Sequence, residues 1–93
     1  MIFINRYFFK VSGRVQGVGF RFHSQYLADH FNLTGWVKNC DDGTVEMEVQ
    51  GREDDIAAFK IKIQEGNRFI KVKDIYSEKI DITSEEKAFR VIY

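Results

Sequence analysis

The chain has 93 residues, with 14 basic and 14 acidic side chains, two histidines, one cysteine and no proline, and 44% of it is apolar. That length predicts one compact domain over residues 1–93, burying about two thirds of its unfolded surface. A lone cysteine excludes an internal disulfide and a Cys-x-x-Cys metal or redox pair, which points to the cytoplasm, and a net charge of zero argues against a general nucleic-acid binder with a basic face.

The apolar residues 1–4 meet Asn5 and Arg6 at once, too short a run for a signal-peptide core or a membrane span. Tyr7, Phe9 and Val11 alternate with Phe8, Lys10 and Ser12, which predicts a strand ending at Gly13. After the glycines at 13, 17 and 19, the positions Phe20, Ser24, Leu27, Ala28 and Phe31 form one stripe of a helix. His23, Gln25, Asp29 and His30 then fall outside that stripe, and Asn32 suits the left-handed conformation that ends a helix.

A hairpin follows, with arms over residues 34–39 and 44–50 and the turn Cys40-Asp41-Asp42-Gly43 between them. Val45, Met47 and Val49 alternate with Glu46, Glu48 and Gln50, so one face is core and the other wet. Glu53, Asp54 and Asp55 suit the positive end of a second helix, whose inner stripe is Ile56, Phe59 and Ile63 and whose end is Gly66. A strand within residues 72–80 carries a phase slip between Val72 and Ile75, and Phe89, Val91 and Tyr93 alternate in a last strand. The order β-α-β-β-α-β plus a terminal β predicts an α+β sandwich, with two helices on one face of a mainly antiparallel sheet.

The chemistry concentrates in Gly13-Arg14-Val15-Gln16-Gly17-Val18-Gly19-Phe20-Arg21, between a strand and a helix. The first forty residues carry an excess of four bases, balanced by four excess acids beyond, so a local anion site belongs in this part of the chain. A loop of this composition can turn backbone N–H groups inward as an anion nest, and the helix N-terminus adds partial positive charge. It is not a Walker loop, since no Gly-Lys-Ser/Thr follows, and Phe22 stands where a dinucleotide fingerprint needs its last glycine. Arg21 could clamp two phosphate oxygens with its fork of donors. By spacing alone, a phosphate nest and a plain glycine-rich turn with a surface arginine are equally good readings.

That segment, followed by Leu33-Thr34-Gly35-Trp36-Val37-Lys38-Asn39 and Asp42-Gly43-Thr44-Val45-Glu46, closely resembles the acylphosphatase family. The resemblance continues through Val49-Gln50-Gly51, Gly66 and Phe89-Arg90-Val91-Ile92-Tyr93, and so covers nearly the whole chain. It implies a ferredoxin-like fold and hydrolysis of a carboxyl-phosphate anhydride to a carboxylate and inorganic phosphate, without metal or cofactor. It implies Arg21 as the phosphate-binding arginine and Asn39 as the residue that orients the attacking water. The N–H groups of Val15, Gln16, Gly17, Val18, Gly19 and Phe20 would complete the phosphate site. The expected partners are a small acyl phosphate and inorganic phosphate as product and competitive inhibitor, with no nucleic acid or membrane, for a monomeric cytoplasmic enzyme.

The chemistry asks for no more. A carboxylate leaving group is stable at neutral pH, so no general acid is required; the work is to hold the phosphoryl group, stabilise its equatorial charge and place a water in line. Three positions depart from the family pattern: Asn67 follows Gly66 where proline is common, Cys40 stands where threonine or an apolar residue is common, and Ile92 stands where arginine is usual. The first predicts a less rigid loop.

Plainer roles fit the other polar residues. His23 and His30 read as solvated or surface-packed, Cys40 as a bystander thiol, Trp36 as core or sheet-face packing, and the acids at 46, 48 and 53–55 as wet surface; Arg14 receives no catalytic role. Two alternatives stand beside the enzyme. One is a non-catalytic phosphate-sensing or interaction domain of the kind embedded in a larger carbamoyl-transfer maturation protein, against which the end of the chain at Tyr93 favours a free-standing enzyme. The other, remote, is a ferredoxin-like RNA-binding module using Tyr7, Phe8 and Phe9 as stacking platforms, against which the acidic Val45-Glu46-Met47-Glu48 counts.

Overall fold

The computed structural model describes residues 3–93, so the start of the apolar run at residues 1–4 lies outside the described residues. Strands β1 (Ile4–Arg14), β2 (Thr34–Asn39), β3 (Val45–Arg52), β4 (Lys71–Ile80) and β5 (Phe89–Ile92) alternate with helices α1 (Phe20–His30) and α2 (Glu53–Glu65) in the expected order. They form one sheet in the order β4-β1-β3-β2-β5. Every pairing is antiparallel except that of β5 with β2. This is the ferredoxin-like α+β arrangement with an added edge strand.

Strand alternation decides which residues meet the helices. Phe9 and Val11 of β1, Val37 of β2 and Val45, Met47 and Val49 of β3 are buried together with Phe20 and Ala28 of α1 and Ile56, Phe59 and Ile63 of α2. Each large apolar side chain fully buried in this layer contributes about 1.5–3 kcal/mol. The Phe59 ring joins the layers, lying parallel to Phe9 at 6.5 Å and tilted against Phe89 at 6.4 Å. Asn32 ends α1 at φ 58°, and Gly66 ends α2 at φ 64°.

The phase slip in β4 has a definite cause. Ser12 pairs with Asp74 but Gly13 pairs with Val72, so Lys73 is an extra residue bulged out of the ladder. Val72 and Ile75 can therefore both pack on the core although they are three positions apart. Asn67, expected to loosen the α2–β4 loop, instead accepts the backbone N–H groups of Phe69 and Ile70 at 2.8 and 2.9 Å. Its carboxamide pins the loop that a proline ring would have stiffened.

The outer face of the sheet holds a surprise at Arg6, which is only 3% exposed. Its guanidinium donates to Glu48 at 2.8 Å and Gln50 at 3.2 Å on β3, and to both carboxylate oxygens of Glu86 at 2.8 and 3.3 Å. Gln50 in turn exchanges two hydrogen bonds with the backbone of Thr83. The β4–β5 connection is thereby strapped across this face, and β5 is delivered to its place beside β2. Trp36 packs on the same face, half-buried, with Lys38 Nζ 5.6 Å from its ring. Tyr7 and Phe9 point the other way, against the helices, leaving Phe8 as the one member of the imagined stacking trio on the open face.

Candidate functional site

The β1–α1 loop turns on two glycines. Gly17 has φ 73° and Gly19 φ 79°, values that L side chains rarely adopt. A Cβ at either would meet nothing within 4 Å, so conformation and not space demands glycine there. Gly19 is the N-cap of α1, and it offers no side chain to the free N–H groups of the first turn. That turn also contains no acid, whereas the first turn of α2 holds Glu53, Asp54 and Asp55. The positive end of α1 is left open to an external anion.

Val15, Gly17, Gly19, Phe20, Arg21, Phe22 and Asn39 line a cleft of about 130 Å³ at this helix end. Val15 and Phe20 are buried and form its apolar floor, anchoring the loop in the core. Val18 also packs on the core, and Gln16 turns its side chain to the β2–β3 turn; neither side chain lines the cleft. Asn39 reaches the cleft because it ends β2, where it pairs with Val45, and its side chain is exposed. The structure thus brings Arg21 and Asn39 to one cleft from elements that are separate in sequence.

Arg21 is held without being neutralised. Its Nη1 donates to the carbonyl of Ile92 at 3.1 Å, and its Cζ lies 4.9 Å from the centre of the Tyr93 ring. None of the ion pairs among the described residues involves it. Of the other basic residues early in the sequence, Arg6 is in the buried strap, Lys10 pairs with Asp42 at 3.3 Å and Glu46 at 3.7 Å, and Arg14 is exposed and does not line the cleft.

Sequence reasoning did not find two members of this neighbourhood. Phe22 lines the cleft as a 56% exposed ring, tilted at 6.5 Å from Tyr93. The Ile92 contact runs through a backbone carbonyl, which side-chain patterns do not reveal. Outside the cleft, His23, expected to be solvated or surface-packed, is half-buried, its Nε2 lies buried without a hydrogen-bond partner, and burial pushes the imidazole pKa down. His30 is exposed, as expected.

A second groove, of about 170 Å³, lies between β1, α2 and β4 beside Tyr7, Phe9, Ile56 and Lys60. Two of its polar groups engage each other, since the Tyr7 hydroxyl donates to Glu53 at 2.6 Å, and Asn5 Nδ2 donates to the same carboxylate at 2.7 Å. Among the described residues, no group of three His, Cys, Asp or Glu side chains is disposed to hold a metal ion. No helix among the described residues is long and apolar enough to cross a membrane.

Comparison with known proteins points one way. The acylphosphatase family model matches residues 7–91. A curated acylphosphatase of Clostridium acetobutylicum is 50% identical over 90 residues, spanning 97% of this chain and 99% of that protein. The crystal structure of an acylphosphatase from Bacillus subtilis superposes with a TM-score of 0.90 at 40% identity, covering 98% of this chain and all of that one. Full-length HypF, solved in a phosphate- and nucleotide-bound form, matches with a TM-score of 0.82 at 29% identity, the similarity spanning this whole chain but 12% of HypF.

Proposed function

The chain belongs to the acylphosphatase family and is a hydrolase of acyl phosphates, and from that premise we propose how its residues divide the reaction. Arg21 and the N–H groups of Val15, Gln16, Gly17, Val18, Gly19 and Phe20 hold the phosphoryl group, and Asn39 places the attacking water. The observation that supports this reading is the pairing, in one cleft, of an arginine without a carboxylate partner and a helix N-terminus with neither a capping side chain nor an acidic first turn.

A phosphoryl group seated in the loop meets N–H donors on one side and a planar guanidinium on another. Charge that spreads over its equatorial oxygens in a loose transition state is stabilised by groups already in place. Asn39 accepts a hydrogen bond from the water through its carboxamide oxygen and can donate through its NH₂. The water attacks phosphorus opposite the acyl oxygen, the P–O bond to the acyl group breaks, and the carboxylate leaves unprotonated. The water's proton passes to a phosphate oxygen, giving inorganic phosphate. No side chain has to act as acid or base. The glutamates near the sheet, Glu46 and Glu48, face its outer side, away from the helices, and take no part.

We extend the reading to finer features. Inorganic phosphate, which fits the nest as well as the product phosphoryl group does, competes with substrate. The enzyme works as a cytoplasmic monomer, and residues 1–93 act as one domain without a cofactor. The test is hydrolysis of a synthetic acyl phosphate beside an ordinary phosphomonoester, with inorganic phosphate titrated in. Rapid release from the acyl phosphate, negligible release from the monoester and competitive inhibition are expected. A phosphate-sensing domain would bind phosphate without turnover, and an RNA-binding module would do neither.

A further inference from the structure

We propose that Gln16 is a positioning residue that sets where Asn39 stands relative to the phosphate loop, an inference that rests on the water-placing role given to Asn39 above. The two halves of the site come from different elements, and the turn that follows Asn39 is stiff in itself. Asp42 Oδ1 accepts both the backbone N–H of Thr44 at 3.0 Å and its hydroxyl at 2.6 Å. The Cys40 N–H donates to the Thr44 carbonyl at 2.9 Å, and the Gly43 N–H to the Cys40 carbonyl at 3.2 Å. These bonds fix the shape of the turn but leave open its tilt over the loop.

Gln16 sets that tilt. Its Nε2 donates to the Cys40 carbonyl at 2.7 Å and to the Thr44 carbonyl at 2.8 Å, one at each end of the turn. A carboxamide NH₂ carries two hydrogens, and both are used. Rotating the amide would set its oxygen against two carbonyl oxygens, so the chemistry fixes its orientation. Cys40 directly follows Asn39, and Gln16 sits between Val15 and Gly17, both of which line the cleft. The clasp therefore ties the water-placing side of the site to the phosphate-holding side within one residue of each. In-line attack is sensitive to such a link, because a misplacement of about 1 Å can cost on the order of a hundredfold in rate.

The experiment begins with Gln16→Leu, which removes both donors and keeps most of the volume. The expected result is a kcat lowered roughly tenfold to a hundredfold, with the inhibition constant for inorganic phosphate within about threefold of the parent, since Arg21 and the loop N–H groups are untouched. In an Asn39→Ala background the same substitution should cost less than about threefold more, because the group it positions is gone. Gln16→Glu adds a readout that a purely structural role would not move. Its carboxylate donates nothing, but its protonated form donates one hydrogen bond, so its rate relative to the parent should climb as pH falls through the carboxyl range while the Gln16→Leu ratio stays flat.

An unchanged kcat in Gln16→Leu, phosphate inhibition weakened as much as turnover, or an undiminished penalty in the Asn39→Ala background would each overturn the proposal. Should Gln16→Leu fail to fold, a flat pH ratio for Gln16→Glu would overturn it as well. Full turnover in Asn39→Ala alone is a different result: it removes the water-placing reading, and with it the route through which Gln16 acts.

Discussion

The guanidinium of Arg21 lies over the ring of Tyr93, with Cζ 4.9 Å from the ring centre, while its Nη1 donates to the carbonyl of Ile92 at 3.1 Å. The edge strand thus aims the cation without supplying a counter-charge. A carboxylate partner in this position would have offset the charge that the proposed phosphate site needs. An aromatic face and a carbonyl orient it and leave it positive.

Arg21→Ala should lower turnover on the order of a thousandfold or more, about 4 kcal/mol of transition-state stabilisation, and abolish inhibition by inorganic phosphate. Arg21→Lys should recover little, since an ammonium has neither the planar fork nor the reach to serve Ile92 and two phosphate oxygens together. Tyr93→Ala should cost far less, about 0.5–1 kcal/mol, as expected of an exposed cation–π contact. Steady-state kinetics on folded variants decides each case; near-normal rates in Arg21→Ala would remove the arginine from the site.

Gly19→Ala tests the loop rather than the cation. The added methyl meets no neighbour within 4 Å, so any effect comes from the φ of 79°. Holding alanine in the left-handed region costs about 1–2 kcal/mol. The loop is expected to relax and swing the N–H groups at the start of α1 away from the anion. Thermal unfolding should show a modest loss of stability, and phosphate inhibition should weaken more than tenfold. Unchanged inhibition would mean that the N–H groups there do not hold the anion.

Metal removal should change nothing. The proposed chemistry uses donors that belong to the chain, Asp42 in the turn after Asn39 is committed to Thr44 and Lys10, and among the described residues no group of three His, Cys, Asp or Glu side chains is disposed to hold a metal ion. Dialysis against a strong chelator should leave the rate of acyl phosphate hydrolysis intact. Activity lost on dialysis and restored by magnesium or zinc would contradict the proposed division of labour.

The strap over the outer sheet face makes a prediction about pH. Burial raises the Glu86 pKa, but its hydrogen bonds to Arg6 and Thr34 and the charges of Arg6 and Arg90 outweigh that, and the net shift is downward. A carboxyl whose folded pKa lies below its unfolded one contributes stability above the unfolded value, and that contribution is lost as pH falls through the folded value. Glu86→Gln should therefore be less stable near neutrality by about 2 kcal/mol, less than the roughly 3–5 kcal/mol of a fully broken buried pair because Glu48 remains on Arg6. Its deficit should shrink as the parent is acidified below the ordinary glutamate range. Denaturant titrations at several pH values measure this; coincident curves would show that the strap is energetically idle, and a deficit that does not change with pH would show that the Glu86 charge is not what stabilises it.

How much of this was legible in the sequence depended on the range of each interaction. The glycine loop, the stripe Phe20-Ser24-Ala28 and the left-handed Asn32 are local matters of backbone and period, and they could be read directly. The bulge at Lys73 left a trace as a slip in phase, but its cause lay in the partner strand, at Ser12 and Gly13. Phe89 and Val91 announced a strand without saying that it would lie parallel to β2 and place Ile92 beside Arg21. Arg6 is the clearest case. An arginine at an outward position of a strand reads as wet, and its burial depends on Glu86, a partner 80 residues away. Gln16 is similar, since its two acceptors are backbone carbonyls that no side-chain pattern displays.

Asn39 carries the prediction that separates binding from chemistry. It sits at the exposed end of β2, lines the cleft with Arg21 and the loop glycines, and belongs to neither the loop nor the helix that would hold the anion. A residue that touches only the attacking water is engaged on the way to the transition state and not when phosphate alone is bound. Asn39→Ala should therefore lower kcat strongly, while competitive inhibition by inorganic phosphate stays within a few-fold of the parent. Asn39→Asp is nearly isosteric and should fail as well, because its carboxylate repels a dianionic substrate and has lost the NH₂ donor; unlike the alanine variant, it should also weaken phosphate inhibition. The two variants thus fail by different routes, one through kcat alone and one through both constants. If Asn39→Ala weakened phosphate binding as much as turnover, with the fold intact by circular dichroism, the carboxamide would be a phosphate ligand and the water would need another host.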